Sequence, residues 1–183
     1  YGGSAATTSE LAAVASAVSG KNLTKFFDQW VFQKGAPTYQ YGWQSVNVAG
    51  QNYLLARINQ TQTATAGAAP QVQSIYEMPV DLNVTIGGLP QTLVVQNDAR
   101  TEWFVVPVSG TVTALNFDNN NLDATSPRAN ILRGNATSVA YIVGPPKIVA
   151  TSPMPGTMIP QISSPSQLTV SFHTPVNCAG ANF

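Results

Sequence analysis

The residue types that could carry chemistry in this chain are few. His173 is its single histidine and Cys178 its single cysteine, with a proline turn between them. A zinc peptidase needs two histidines one helical turn apart with a glutamate between them, and a serine hydrolase needs a Gly-x-Ser-x-Gly turn. Neither pattern occurs. We therefore expect no catalytic residue and no metal ligand here, with His173 on an ordinary strand and Cys178 a small buried side chain.

The carboxylates show no spacing typical of an acid–base pair. The candidates are Asp81, Asp98, Glu102, Asp118 and Asp123. The run DNNNLD, from Asp118 to Asp123, superficially resembles a calcium loop, but it lacks the central glycine and the distal glutamate of such loops. We interpret it as a polar turn. Gly87-Gly88 is flanked by strand patterns on both sides, so it is not a phosphate-binding loop, which would open a helix.

Four aromatic side chains offer a different chemistry, the stacking of sugar rings. They are Tyr39, Tyr41, Trp43 and Trp103. The first three alternate with polar or small residues, which is the period of a half-buried strand. Aromatic residues at this spacing are more often core than a binding platform. A carbohydrate-binding module is therefore the third of three functional hypotheses, and loss of glycan binding on Trp43→Ala would support it.

The chain opens with a helical pattern. Thr7 and Glu10 have the spacing of a capping box, and Gly20 is a typical C-terminal stop. Between them, apolar residues recur at helical spacing, at Leu11, Val14, Ala15 and Val18. A helix of about three turns is marginal alone in water, so it must pack on another element.

A second helix pattern follows Asn22, which can serve as its cap. Its wide apolar face contains three large aromatic residues, Phe26, Phe27 and Trp30. Each aromatic side chain buries about 150–250 Å², more than the Ala- and Val-rich first helix can cover. We predict that Phe26, Phe27 and Trp30 form a packing interface with a further domain.

After Gly35-Ala36-Pro37 the pattern changes to strands. Alternating segments are predicted from Tyr39, around Tyr53 to Ile58, and at four later places. The later segments are Tyr76 to Ile86, Leu89 to Val95, Trp103 to Val108 and Val112 to Phe117. Gly87-Gly88 predicts a tight hairpin, and residues 60–73 are predicted to be a surface loop. The fold class is mainly β: a helical pair packed on an antiparallel β-sandwich.

The sequence NLTKFFDQWVFQKGAPTYQYGW, residues 22–43, resembles a junction in the alanyl-aminopeptidase-like zinc metallopeptidases, the gluzincin aminopeptidases. There an aromatic helix closes the catalytic domain, and Gly-x-Pro leads into a β-sandwich. The resemblance covers residues 1–60 well and the next sixty loosely, and none of the matching residues is catalytic. It implies that residues 1–36 are the last two helices of a catalytic-type domain and residues 37–125 the sandwich. It also implies an upstream catalytic domain as partner, with the zinc bound there and no cofactor in this chain.

Residues 126–146 are predicted to be a linker that ends in the stiff Pro145-Pro146. Residues 147–183 are similar to the first two strands of bacterial Ig-like surface modules, which need about 80–100 residues. We expect this partial Ig-like module to leave strand edges between Ile148 and His173 that are covered or that pair with another chain.

Composition excludes several classes of partner. Only 9% of residues are charged and the formal net charge is +0, so no basic surface for nucleic acid is expected. No apolar run has the roughly 18 residues of a transmembrane segment. We expect a secreted or cell-surface protein that lacks internal disulfides. Four glycosylation sequons occur, at Asn22, Asn59, Asn83 and Asn135.

The leading functional hypothesis is a non-catalytic C-terminal scaffold portion of a secreted zinc aminopeptidase-like protein. The alternative, from another class, is an extracellular adhesion or assembly module that pairs through strand edges. Oligomeric state separates the two hypotheses.

Overall fold

The computed structural model describes residues 5–67, 70–118, 135–152 and 169–176. Within these residues, two short helices precede nine strands. The helices are α1 (Thr8–Ser19) and α2 (Thr24–Trp30), and the strands are β1 (Tyr39–Val48), β2 (Gln51–Gln60), β3 (Met78–Ile86), β4 (Leu89–Asn97), β5 (Thr101–Val108), β6 (Val112–Phe117), β7 (Ala136–Ser138), β8 (Ile148–Ser152) and β9 (Thr169–Phe172). The predicted mainly β class with a helical pair is confirmed. Within the described residues, no helix has the length and apolar character needed to cross a membrane.

Two sheets face each other across one core. One has the strand order β5-β2-β1-β7 and the other β4-β3-β6. Alternate residues of each strand point inward because successive side chains of a strand lie on opposite faces. The core contains Tyr39, Tyr41, Leu54 and Ile58 from the first sheet and Val80, Leu82, Val84, Leu115 and Phe117 from the second.

The short strand β7 is an unexpected member of the first sheet. It pairs in parallel with β1, with Tyr39 opposite Ala136, whereas the other pairings in both sandwich sheets are antiparallel. The structure therefore places part of the predicted linker within the sandwich. The strands β8 and β9 form a separate antiparallel pair, with Ile148 opposite Phe172.

Helix α1 begins and ends where the sequence predicts. The capping box is complete, since Thr7 Oγ1 accepts from the Glu10 N–H and the Glu10 carboxylate accepts from the Thr7 N–H. Gly20 adopts the left-handed conformation at φ 66°. Helix α2 starts later than predicted, at Thr24, and Asn22 Oδ1 accepts from the Thr24 N–H at 3.0 Å.

The turn between β1 and β2 holds Ala49 in a strained backbone conformation. Ala49 has φ 51° and Gly50 φ 84°, as a two-residue hairpin turn of type I′ requires. The Cβ of alanine disfavours this region, so Ala49→Gly is expected to stabilise the protein by about 0.5–1 kcal/mol. Urea unfolding followed by tryptophan fluorescence measures the change. Gly50→Ala is the matched control and should destabilise; equal stability of Ala49→Gly and wild type would contradict the prediction.

Candidate docking surface

The residues considered for catalysis have structural partners. His173 is buried, its ring Nδ1 accepts from the Lys147 backbone N–H at 3.0 Å, and its backbone N–H donates to the Lys147 carbonyl at 3.2 Å. It thereby fastens β9 to the residue before β8. Glu102 accepts from the Asp98 N–H at 2.9 Å and so shapes the β4–β5 turn. No group of three metal-ligating side chains occurs in the described part of the chain. Cys178 and Asp123 lie outside the described residues.

The aromatic residues of β1 are core. Tyr39 and Tyr41 are 2% and 3% exposed, and each ring centroid lies 5.0 Å from that of Phe117. Burial, and secondarily the charge of Asp118, raise the pKa of the Tyr39 hydroxyl above its usual value. Trp43 is partly buried against the same core. The core interpretation of the alternating aromatic residues is therefore confirmed for Tyr39 and Tyr41.

Residues 139–147 form a strap across the outer face of the four-stranded sheet. Gly42, Arg57 and Trp103 lie side by side on β1, β2 and β5. Arg57 stands 5.6 Å from the centre of the Trp103 ring, and the Trp103 indole N–H donates to the Ile142 carbonyl at 2.9 Å. Lys147 Nζ donates to the Trp103 carbonyl at 2.8 Å. The fourth aromatic residue of the sugar hypothesis, Trp103, is thus partly covered by the chain itself.

Helix α2 is fastened to the start of β3. The side chain of Gln29 makes two hydrogen bonds with the backbone of Glu77: Oε1 accepts from its N–H at 2.8 Å and Nε2 donates to its carbonyl at 3.2 Å. Lys25 forms an ion pair with the Glu77 carboxylate. The ring centroid of Trp30 lies 5.2 Å from that of Tyr76. These contacts hold α2 against the sandwich.

The three aromatic residues predicted to form an interface have different environments. Phe27 is buried at 7% exposure, and Trp30 packs partly buried against the sandwich core. Phe26 is 53% exposed. Phe32, which follows α2, packs on Phe27, and Tyr76 and the sandwich core cover Trp30. The sequence could not distinguish them, because all three lie on one helical face.

Helix α1 buries none of its residues. It faces α2 with small side chains, since Ser9, Ala12, Ala13 and Ser16 line the cleft of about 410 Å³ that α1 and α2 share. At 100° per residue, the positions predicted as the apolar stripe lie on the opposite side. Leu11, Val14 and Val18 are 59%, 51% and 84% exposed. We call Leu11, Val14 and Val18 the outward stripe.

Of the four sequon asparagines, Asn22 alone is exposed. The other three are partly buried and engaged by neighbours. Asn59 Oδ1 accepts from Thr101 at 2.6 Å, Asn83 Oδ1 accepts from Thr92 at 2.8 Å, and Asn135 Nδ2 donates to the Pro37 carbonyl at 3.1 Å. Asn22 is therefore the sequon asparagine whose side chain is most accessible to a glycosylating enzyme.

Fold and surface together define a β protein with two facing sheets and an attached helical pair that presents an apolar stripe outward. Comparison with known proteins adds no relative: no protein-family model, no curated protein and no solved structure matches this chain.

Proposed function

We propose that this chain is a non-catalytic scaffold portion of a secreted zinc aminopeptidase-like protein. Its catalytic residues and zinc would belong to a helical domain upstream in the same protein. The observation that supports this most is the outward stripe of α1, a capped helix that buries no residue. The resemblance of residues 22–43 to the end of such a catalytic domain indicates what kind of partner covers it.

The physical argument rests on the stability of α1. A 12-residue helix is marginal alone in water. Its small-residue face contributes little against α2, where one hydrogen bond, from the Leu23 N–H to Ser16 Oγ at 3.3 Å, joins the segments. Full burial of a leucine or valine side chain contributes about 1.5–3 kcal/mol. Covering the outward stripe would therefore supply the tertiary stabilisation that α1 lacks.

The sandwich has a buttressing role in this proposal. The bonds between Gln29 and Glu77 tie α2 to β3, so a domain docked on the helices would be oriented relative to the core of both sheets. Phe26, which remains 53% exposed, would extend the docking surface beyond the outward stripe.

The test compares amide hydrogen exchange in the 183-residue chain and in the intact protein isolated from its source. Intact mass and peptide mapping of that material establish whether an upstream part with a His-Glu-x-x-His motif exists. We expect the α1 amides to exchange about 100-fold more slowly in the intact protein, because docking suppresses local opening. An intact protein of these 183 residues alone, or equal α1 exchange in both forms, would contradict the proposal.

A pair of neighbouring substitutions sharpens the test. Val18→Lys places a charge in the outward stripe, and Ala17→Lys places the same charge at an exposed position beside it. Both should change the stability of the 183-residue chain by less than about 0.5 kcal/mol. In the intact protein only Val18→Lys should lose the α1 protection, because burying an unpaired ammonium group opposes docking. Equal effects of the two variants would contradict docking through the stripe.

A second candidate function is an extracellular assembly module. The observation in its favour is the two-stranded sheet of β8 and β9, in which Ile148 is 61% and Val170 38% exposed. An isolated two-stranded sheet is marginal in water, so pairing with a strand of another chain would stabilise it. Ile148→Lys should abolish such assembly without altering α1 exchange, which separates this candidate from the first.

A further inference from the structure

Strand β4 is an open edge of the three-stranded sheet, whose order is β4-β3-β6. Its register with β3 is unbroken from Ile86 opposite Leu89 to Met78 opposite Asn97. In a hairpin closed by a two-residue turn, the residues that flank the turn form a hydrogen-bonded pair, and hydrogen-bonded pairs then alternate. Residues 89, 91, 93 and 95 therefore direct their N–H and C=O groups to β3. Thr92, Val94 and Gln96 direct theirs away from the sheet.

Each outer side of the other sheet has partial cover, from a lysine side chain or from a short added strand, whereas β4 has neither in the described part of the chain. On β5, Lys147 Nζ donates a hydrogen bond to the Trp103 carbonyl, and β7 pairs with the first residues of β1. Edge strands in natural proteins are usually protected by charges, bulges or covering segments. No charged residue occurs between Asp81 and Asp98. Val94, near the middle of the strand, is 63% exposed.

We propose that β4 pairs with β4 of a second copy of this chain, antiparallel and about a twofold axis at Val94. Val94 then lies opposite itself, and Thr92 lies opposite Gln96 of the second copy. These residues supply about six inter-chain N–H···O bonds. No charged side chains lie opposite each other among these paired residues of the two copies.

The ends of the strand select this register. The next pair outward sets Pro90 opposite Asp98 of the second copy. Pro90 has no N–H, and the Asp98 N–H already donates to the Glu102 carboxylate at 2.9 Å. The pairing therefore ends without an orphaned donor. A register centred on Leu93 would instead set Gln96 opposite Pro90, so the carbonyl without a donor would be that of Gln96, inside the strand, and not that of Asp98, beyond its end.

The side chains agree with the same register. On the core face it sets Leu93 opposite Val95 of the second copy, so the apolar interior continues across the seam. Val95 is buried and Leu93 packs partly buried against the core cluster. On the outer face it joins the two exposed Val94 side chains, and cross-strand β-branched pairs stabilise a sheet. The result is a continuous six-stranded sheet.

Sedimentation velocity of the 183-residue chain across the micromolar range, under reducing conditions so that Cys178 cannot cross-link, is the first test. We expect a concentration-dependent dimer. Val94→Lys should raise the dimer dissociation constant at least about 10-fold, because like charges would lie directly opposite each other. The control Ala114→Lys, on the exposed face of β6, should leave the dissociation constant unchanged. A monomeric wild type, or equal effects of the two variants, would overturn the proposal.

A charge exchange tests the register itself. The double variant Thr92→Lys, Gln96→Lys and the double variant Thr92→Asp, Gln96→Asp should each be monomeric. Mixed, they should form a one-to-one heterodimer, because every lysine then lies opposite an aspartate. A mixture that stays monomeric overturns the twofold pairing. Val18→Lys should leave the dimer intact. The proposal of docking through α1 and the proposal of pairing through β4 can therefore be refuted independently.

Discussion

Replacing Gln60 by leucine is expected to lower the free energy of unfolding by about 3–5 kcal/mol, the largest effect of any single substitution proposed for this chain. Gln60 is 0% exposed at the end of β2. Its Nε2 donates to the Tyr76 carbonyl and to Asn97 Oδ1, both at 2.7 Å. Its Oε1 accepts from the Tyr76 N–H at 2.8 Å and from Gln62 Nε2 at 2.9 Å. The amide thus uses both donors and both acceptor positions.

Leucine fills a similar volume but returns none of these bonds. The Tyr76 N–H and Asn97 Oδ1 would lose buried partners, and each unsatisfied buried group costs about 1–3 kcal/mol. The loss should be local as well as global, because the Gln60 bonds fix Tyr76, which packs on Trp30 of α2. Hydrogen exchange in residues 74–77 and in α2 should therefore rise together.

Urea unfolding followed by tryptophan fluorescence measures the global effect. Gln40→Leu is the control, since Gln40 lies exposed on the neighbouring strand β1. It should change stability by less than about 0.5 kcal/mol. If Gln60→Leu were no more destabilising than Gln40→Leu, the amide network would not be a stabilising element.

At Gln60 and Gln62 the buried segment continues beyond the end of the strand that the sequence predicts at Ile58. Residues 54, 56 and 58 alternate as core positions of β2, and the alternation continues through Gln60 and Gln62, which are 0% and 7% exposed. The Thr-, Ala-, Gly- and Gln-rich composition of residues 60–73 predicts a surface loop there. This prediction is wrong for its first residues, because the amides satisfy one another inside the protein. The sequence signal for their burial is that Gln60 and Gln62 continue the two-residue spacing of the core positions 54, 56 and 58.

Patterns that depend on local physics were predictable. Strand alternation located β3, β5 and β6, Gly87-Gly88 located the β3–β4 hairpin, and both ends of α1 followed from its caps. The absence of burial on α1 was not predictable. Periodicity identifies an apolar stripe but does not say whether the stripe contacts its own chain, another domain or a second copy.

The strap was also beyond sequence reasoning, because its position depends on small residues that are far apart in the chain. Gly42 lies under Ala140 and Tyr141, and Gly144 lies over the indole of Trp103. Neither glycine occupies a turn that demands its backbone freedom. Both glycines lack a Cβ, and this allows two segments of the chain to approach each other closely.

Gly42→Ala should accordingly detach or displace the strap and destabilise the protein by about 1–3 kcal/mol. A Cβ at this position would lie 2.8 Å from the Ala140 carbonyl oxygen and 2.9 Å from the Tyr141 Cα. Because these are backbone atoms, no side-chain rotation relieves the overlap. The strap must move, and the Ile142 carbonyl then withdraws from the Trp103 indole.

Two readouts separate this displacement from general loosening. Hydrogen exchange should rise in residues 139–147 while the core strands β2 and β3 keep their protection, and tryptophan fluorescence should shift to longer wavelength as Trp103 meets water. The control is Gly110→Ala, whose Cβ would meet only the Ile86 methyl group at 3.2 Å. Unchanged exchange of the strap in Gly42→Ala would mean that the strap does not depend on close approach to β1.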